Sequence, residues 1–229
     1  MWYIMSMKTI GKLVIVLMLF TGLAVYSFGE TYYGLTGGFY RLMEEFPKEN
    51  YGRTMNGSNA VFSFYYFPGE SSLGFYTHVS AGNFTSGMEA KDDERPARVD
   101  VASAWDVRLC LAPSYKFQLG SRVRIPVSLG PVFTIYNEEN YGYWSMDYPG
   151  VDTIYDSFTF GVLADGSLIV NPFKLFFIKS GISLGWDFAR VEKGEMNMEY
   201  RKTRNARYNS VPYMALASSF YFGIGLRFE

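Results

Sequence analysis

The sequence is short of the residues that hold small exported or metal-bound folds together. One cysteine, Cys110, and one histidine, His78, occur among 229 residues. A lone cysteine excludes an internal disulfide, and a lone histidine beside it leaves too few ligands for a zinc cage. An excess of one charge is missing as well: the formal net charge is −1, so nothing in the balance points to nucleic acid or another polyanion. Beyond the first 25 residues no apolar run is long enough for a helical membrane span. A GxSxG elbow, an HExxH pair, a Walker loop and a phosphate-cradling glycine pattern are all absent. The expectation is therefore a non-enzymatic protein with no cofactor and no metal.

What the chain does have is aromatic rings. They make up 19% of residues, 20 Phe and 19 Tyr against 4 Trp, alongside 23 Gly, a mixture suited to β-structure at a surface neither wet nor dry. The N-terminus reads as a targeting segment. Lys8 and Lys12 precede an apolar run from Leu13 to Val25, and the small residues Ser27 and Gly29 follow. That order marks a secretory signal peptide over 1–29, with cleavage expected near Gly29–Glu30 and Met7 a plausible true start. The run is shorter than the ~20 residues of a lasting anchor. No cysteine lies near the site for lipid attachment.

Residues 30–229 alternate between strand-like runs and two kinds of connection. Strands are expected at Tyr32–Leu42, Asn59–Phe67, Ser72–Phe84, Ala102–Phe117, Arg122–Tyr136, Tyr155–Val170, Lys174–Val191 and Val211–Phe228. Tight turn signals, Pro68–Ser71, Gln118–Ser121 and Asn171–Phe173, alternate with long polar connections at Met43–Ser58, Thr85–Val101, Asn137–Ile154 and Glu192–Ser210. Every long connection then falls at one end, the rhythm of a bacterial outer-membrane barrel with short periplasmic turns and long extracellular loops.

Period-two alternation also suits a soluble barrel, so the character of the faces has to decide. In the last strand Met214, Leu216, Phe220, Phe222, Ile224, Leu226 and Phe228 share one face. The other holds Tyr213, Ala215, Ala217, Ser219, Tyr221, Gly223, Gly225 and Arg227. The seventh strand sets Phe176, Ile178, Ile182, Leu184, Trp186 and Phe188 against Lys179, Gly181, Ser183, Gly185 and Asp187, and the fourth and fifth repeat the contrast. Small and charged residues share a face, as a narrow eight-stranded lumen requires. The bulky face would be an intolerable apolar belt in water but is stabilised in lipid, where closure satisfies every backbone hydrogen bond. The expected fold is all-β: an eight-stranded antiparallel transmembrane up-and-down β-barrel following a cleaved leader.

Parity also fixes turn lengths. Outward positions are even on the sixth and seventh strands, so an odd loop, Asn171–Phe173, is expected to pair Val170 with Lys174, Asp165 with Lys179 and Ser157 with Asp187. The turn between the fourth and fifth strands must also be odd. The expected lumen set is Asp106, Arg108, Lys116, Arg122, Arg124, Asp165, Lys179 and Asp187, with His78 a further candidate. These residues read either as gating ion pairs or as a structural plug, because charges buried in a narrow barrel must pair. His78-Val79-Ser80 matches the H-x-S triplet of outer-membrane lipid A deacylases, but both polar side chains point into the lumen, away from membrane substrate. In the third loop Tyr141, Tyr143, Trp144 and Tyr148 accompany Glu138, Glu139, Asp147 and Asp152, a candidate contact surface. The fourth loop is basic on balance, so the two could close over the barrel mouth.

Leader, eight strands, alternating turns and loops, and an aromatic last strand together resemble the small outer-membrane barrels of the OmpW, OmpX and OmpA type. Tyrosine richness and the ending Tyr221-Phe222-Gly223-Ile224-Gly225-Leu226-Arg227-Phe228 are similar to short barrels of spirochaetes such as treponemes. In such barrels the assembly signal usually ends on the aromatic itself, whereas Phe228 is followed by Glu229. The resemblance implies location in the outer membrane, limited porin-like passage of small molecules or a structural role, and surface-exposed loops that can act as an adhesin. It also implies outer-membrane lipid, periplasmic chaperones and the barrel assembly machinery as partners, with host ligands at the loops and no nucleic acid.

Overall fold

Side chains that alternate between bulky-apolar and small-or-polar give each strand one face for lipid and one for a filled interior, and the wall closes on that basis. The structure, a computed structural model, describes residues 29–46, 51–86, 99–142, 151–198, 201–204 and 209–229. Residues 1–28, and with them most of the expected leader, lie outside the described residues; the first strand begins at Gly29.

Eight long strands form the barrel: β1 (Gly29–Phe46), β2 (Tyr51–Pro68), β3 (Leu73–Ser86), β4 (Val99–Leu119), β5 (Val123–Gly142), β6 (Val151–Val170), β7 (Phe176–Met198) and β10 (Met214–Phe228). Two short segments, β8 (Arg201–Arg204) and β9 (Asn209–Val211), pair with the loop end of β7. Each long strand pairs antiparallel with the next, and β10 closes the sheet by pairing with both β1 and β7. Register partners traced around the wall from Gly34 run through Ser63, His78, Cys110, Val132, Gly161, Asp187 and Ala215. They return to β1 at Glu44, ten residues further along. Eight strands with that stagger tilt about 40° from the axis and enclose a backbone cylinder about 8 Å in radius, which side chains can fill.

The faces fall as expected. Leu109, Leu111, Tyr115, Leu129, Ile135, Ile182, Leu184, Trp186, Phe220, Phe222 and Ile224 all stand outward and exposed. Asp106, Arg108, Lys116, Arg124, Asp165, Lys179 and Asp187 are buried in the lumen. Arg122 is the exception: it belongs to the turn between Leu119 and Val123 and is exposed, so it is not a lumen residue. That turn is odd, as parity demands. It bends through Gly120 at φ 72°, a conformation open to glycine.

Two expectations about extent and register are corrected. The strands outrun their expected ends: β1 reaches Phe46, β5 reaches Gly142 and β7 reaches Met198. Much of what reads as loop is therefore paired strand, because an antiparallel ladder continues in water once polar side chains cover it. Between β6 and β7 the partners are Val170 and Ile178, Asp165 and Ser183, Ile169 and Lys179, Ser157 and Glu192. The turn is longer than three residues, which slides the register by four between Gly161 and Val170 and leaves the faces there unchanged. Further up, an irregularity between Phe160 and Gly161 in the ladder leaves Phe188 and Ala189 both exposed and turns Arg190 inward.

Candidate functional site

Inward side chains stack in polar tiers along the axis. At the turn end, Glu30 accepts from Lys116 and from Arg227 Nη2 at 2.6 Å, while Arg124 lies 3.7 Å away and Tyr32 donates at 3.2 Å. Lys116 also sits over the Phe67 ring at 4.6 Å, and Arg227 pairs with Glu229. A polar cavity of about 570 Å³ opens here, lined by Gly29, Glu30, Gly69, Glu70, Lys116, Gln118, Arg124 and Glu229.

The middle tier is built on tyrosine. Asp165 accepts from Tyr65 at 3.0 Å and Tyr221 at 2.5 Å. Lys179 donates to Ser63 at 2.9 Å and lies 4.8 Å from the ring centroids of both Tyr65 and Tyr221, with Tyr76 at 5.8 Å. Among the described residues Lys179 has no carboxylate partner at salt-bridge distance. The charge is held by ring faces and a hydroxyl, and the expected Asp165–Lys179 pairing is replaced by tyrosines that serve both. His78 Nδ1 contacts the Tyr76 hydroxyl at 2.9 Å, deep in the bore.

Above this, Arg108 spans the lumen. Its Nε donates to Asp106 at 3.0 Å and its Nη2 to Asp187 at 3.0 Å. Tyr40 donates to Asp106 and presents its ring to the guanidinium at 5.6 Å, Gly82 N donates to Asp106 at 3.1 Å, and Thr159 donates to Asp187 at 3.1 Å. The pair meets because the long Arg108 side chain reaches across the bore from β4 to β7, three strands away around the wall. Glycines leave room for it: a Cβ on Gly82 would come within 2.6 Å of the Tyr40 ring. At the loop end Glu44 accepts from Arg190 at 3.1 Å and Tyr213 at 2.7 Å, and Arg190 also meets Glu192 at 3.0 Å.

Six cations (Arg108, Lys116, Arg124, Lys179, Arg190, Arg227) and six carboxylates (Glu30, Glu44, Asp106, Glu138, Asp165, Asp187) thus line the bore among the described residues, and Glu192 and Glu229 pair with Arg190 and Arg227 at its two mouths. Sequence reading found four of these cations and three of these carboxylates. It missed Arg190 because the irregularity reverses parity there, and missed Glu44 and Glu138 because both were assigned to loops. Glu30 was hidden by its place beside the expected cleavage point, and Arg227 was on the correct face but outside the expected set. Continuing the alternation Tyr40, Leu42, Glu44 would have recovered the second of these carboxylates. The tyrosines were on the correct face but not read as partners. Of the expected loop contacts, Tyr143, Trp144 and Tyr148 lie outside the described residues, and Tyr141 is part of β5.

No protein-family model and no curated protein matches this sequence. Solved structures do match. A major outer membrane protein from Thermus thermophilus aligns with TM-score 0.56 at 12% identity, over 87% of this chain and 99% of that one. The outer membrane protein OprG from Pseudomonas aeruginosa aligns with TM-score 0.52 at 11% identity, over 88% and 96%. At such identities the likeness is one of fold. With the lipid-facing belt, it defines the class: a small eight-stranded β-barrel of the bacterial outer membrane.

Proposed function

We propose that this chain is a non-enzymatic, surface-presenting barrel whose lumen is a structural plug and whose loop end carries its biological activity. The observation behind this reading is Arg108, bound to Asp106 and Asp187 across the bore and backed by Tyr40. With the tyrosine tier beneath, it leaves side chains rather than a path along the axis. In this reading residues 1–29 direct export and are removed, and periplasmic chaperones and the assembly machinery deliver the chain. The extended strands of the loop end, with the aromatic segment around Tyr141, Tyr143, Trp144 and Tyr148, meet external ligands as an adhesin would. The resemblance to spirochaetal barrels of OmpW or OmpX type belongs to the same reading. Single-channel recording on protein refolded into planar bilayers tests it. No stable conductance is expected from the native chain; steady ion-conducting steps would replace the plug with a pore.

A second reading, gated passage of small molecules, is favoured by one detail. Arg108 Nη1 and Asp187 Oδ1 are buried without a hydrogen-bond partner. An arrangement that hydrated both would recover part of the cost of parting the pair. Conductance steps that appear only in Arg108→Ala would support a gate at this tier.

A further inference from the structure

The apolar belt has a polar gap. On the outer face, Phe39 on β1, Ala60 on β2 and Ala81 on β3 are followed toward the loop end by Arg41, Ser58 and Asn83. Arg41 is flanked in register by Asn56 on β2 and Ser218 on β10, and Ser58 by Asn83 on β3. Arg41, Asn56, Ser58 and Asn83 are all exposed, and Arg41 has no ion pair or hydrogen bond with a described residue.

The gap lies within the height of the belt. In a wall of this tilt each residue adds about 2.5 Å of height and each step to the next strand along the register adds about 3 Å. On that scale Arg41 stands about 3 Å below Ile135 on the far wall and Phe188 on β7, and about 28 Å above Phe228. It therefore occupies the outer edge of the hydrocarbon layer, where β5 and β7 still offer the apolar side chains of Ile135 and Phe188. A lone cation facing lipid is unfavourable unless it reaches the headgroups or is met by an anion. The outward carboxylate of the same strand, Glu45, is four residues away, about 13 Å along β1. Around Arg41 stand amide and hydroxyl groups able to donate, and beneath it Phe39 (80% exposed) and Phe220 (56%) offer a surface for acyl chains.

We propose that this gap binds the phosphate of an outer-leaflet lipid. Arg41 supplies the charge, Asn56 and Ser218 add donors from the adjoining strands, and the lipid's chains run down over Phe39 and Phe220. The guanidinium fork matches a phosphate oxygen pair better than a lysine would. The amides make the site more than a point of attraction.

Native mass spectrometry of refolded protein titrated with dioleoylphosphatidylglycerol, against dioleoylglycerol, provides the test. The native chain is expected to retain one phosphatidylglycerol in preference to the phosphate-free lipid. Arg41→Leu is expected to lose that preference by about tenfold, the scale of one charge-assisted hydrogen bond, and Arg41→Lys to keep part of it. Arg41→Leu adds an apolar side chain to the belt, so it is expected to fold; heat-modifiable gel mobility checks this. Equal retention by Arg41→Leu and the native chain would overturn the site and leave Arg41 merely extended toward water. Displacement of the lipid by millimolar inorganic phosphate would assign the pocket to a free anion and overturn the lipid.

Discussion

Arg108 and Lys179 are both fully buried cations, yet their surroundings differ in kind. Arg108 closes two salt bridges and lies over Gly185, where its Nη1 would come within 2.8 Å of an added Cβ. Removing it strands Asp106 and Asp187 side by side without their shared cation. Breaking such a pair costs about 3–5 kcal/mol, so Arg108→Met is expected to lower the urea midpoint of the refolded barrel markedly. Lys179 has one hydroxyl and ring faces instead, while its nearest acid, Asp165, already accepts from two tyrosines. Lys179→Met removes a buried charge and leaves that carboxylate hydrogen-bonded. Its cost should stay within about 1 kcal/mol. Urea titration followed by gel mobility compares the two; equal losses would mean that Lys179 and Asp165 act as a direct ion pair after all.

Within a strand, alternation carries most of the information, and it was legible. Every charged residue assigned inward on β4, β6 and β7 is inward, because a period-two pattern cannot be shifted by an even slip. Register depends on turn length and local irregularities, which leave no compositional mark; Phe188 and Ala189 look like any other pair in the belt. The strand ends were equally hidden, since polar alternation beyond the membrane reads as loop. Glycines show the same division between legible and hidden. Gly82 faces the lumen against the Tyr40 ring and the Asp106 carboxylate, whereas Gly166 has no atom within 4 Å of an added Cβ. Gly82→Ala is expected to destabilise by about 1–3 kcal/mol through overpacking. Gly166→Ala should be neutral or gain up to about 1 kcal/mol from reduced chain freedom. Equilibrium unfolding of both variants distinguishes them, and a harmless Gly82→Ala would show that the Arg108 tier has slack.

Taken whole, the barrel has two unlike ends, and their difference dictates which way it sits. Gly29, Glu229 and the turns that join β2 to β3, β4 to β5 and β6 to β7 share one end, with Arg122 and Lys174 exposed there. The other end joins β1 to β2, β3 to β4 and β5 to β6, and carries β8 and β9. In the proposed reading residues 1–29 carry the chain to the periplasm, and an even number of long strands leaves Gly29 and Glu229 at one end, so the turns face inward to the cell. Trypsin applied to intact cells should then cut in the connection between β3 and β4, at Lys91 or Arg98, Arg95 being protected by Pro96. The two fragments should stay together as a heat-modifiable barrel, because β4 remains laddered to β3 and β5. Fragments ending at Arg122 or Lys174 should form only after the envelope is permeabilised. If intact cells yield those fragments first, the barrel is inverted. The polar gap at Arg41 would then face the inner leaflet.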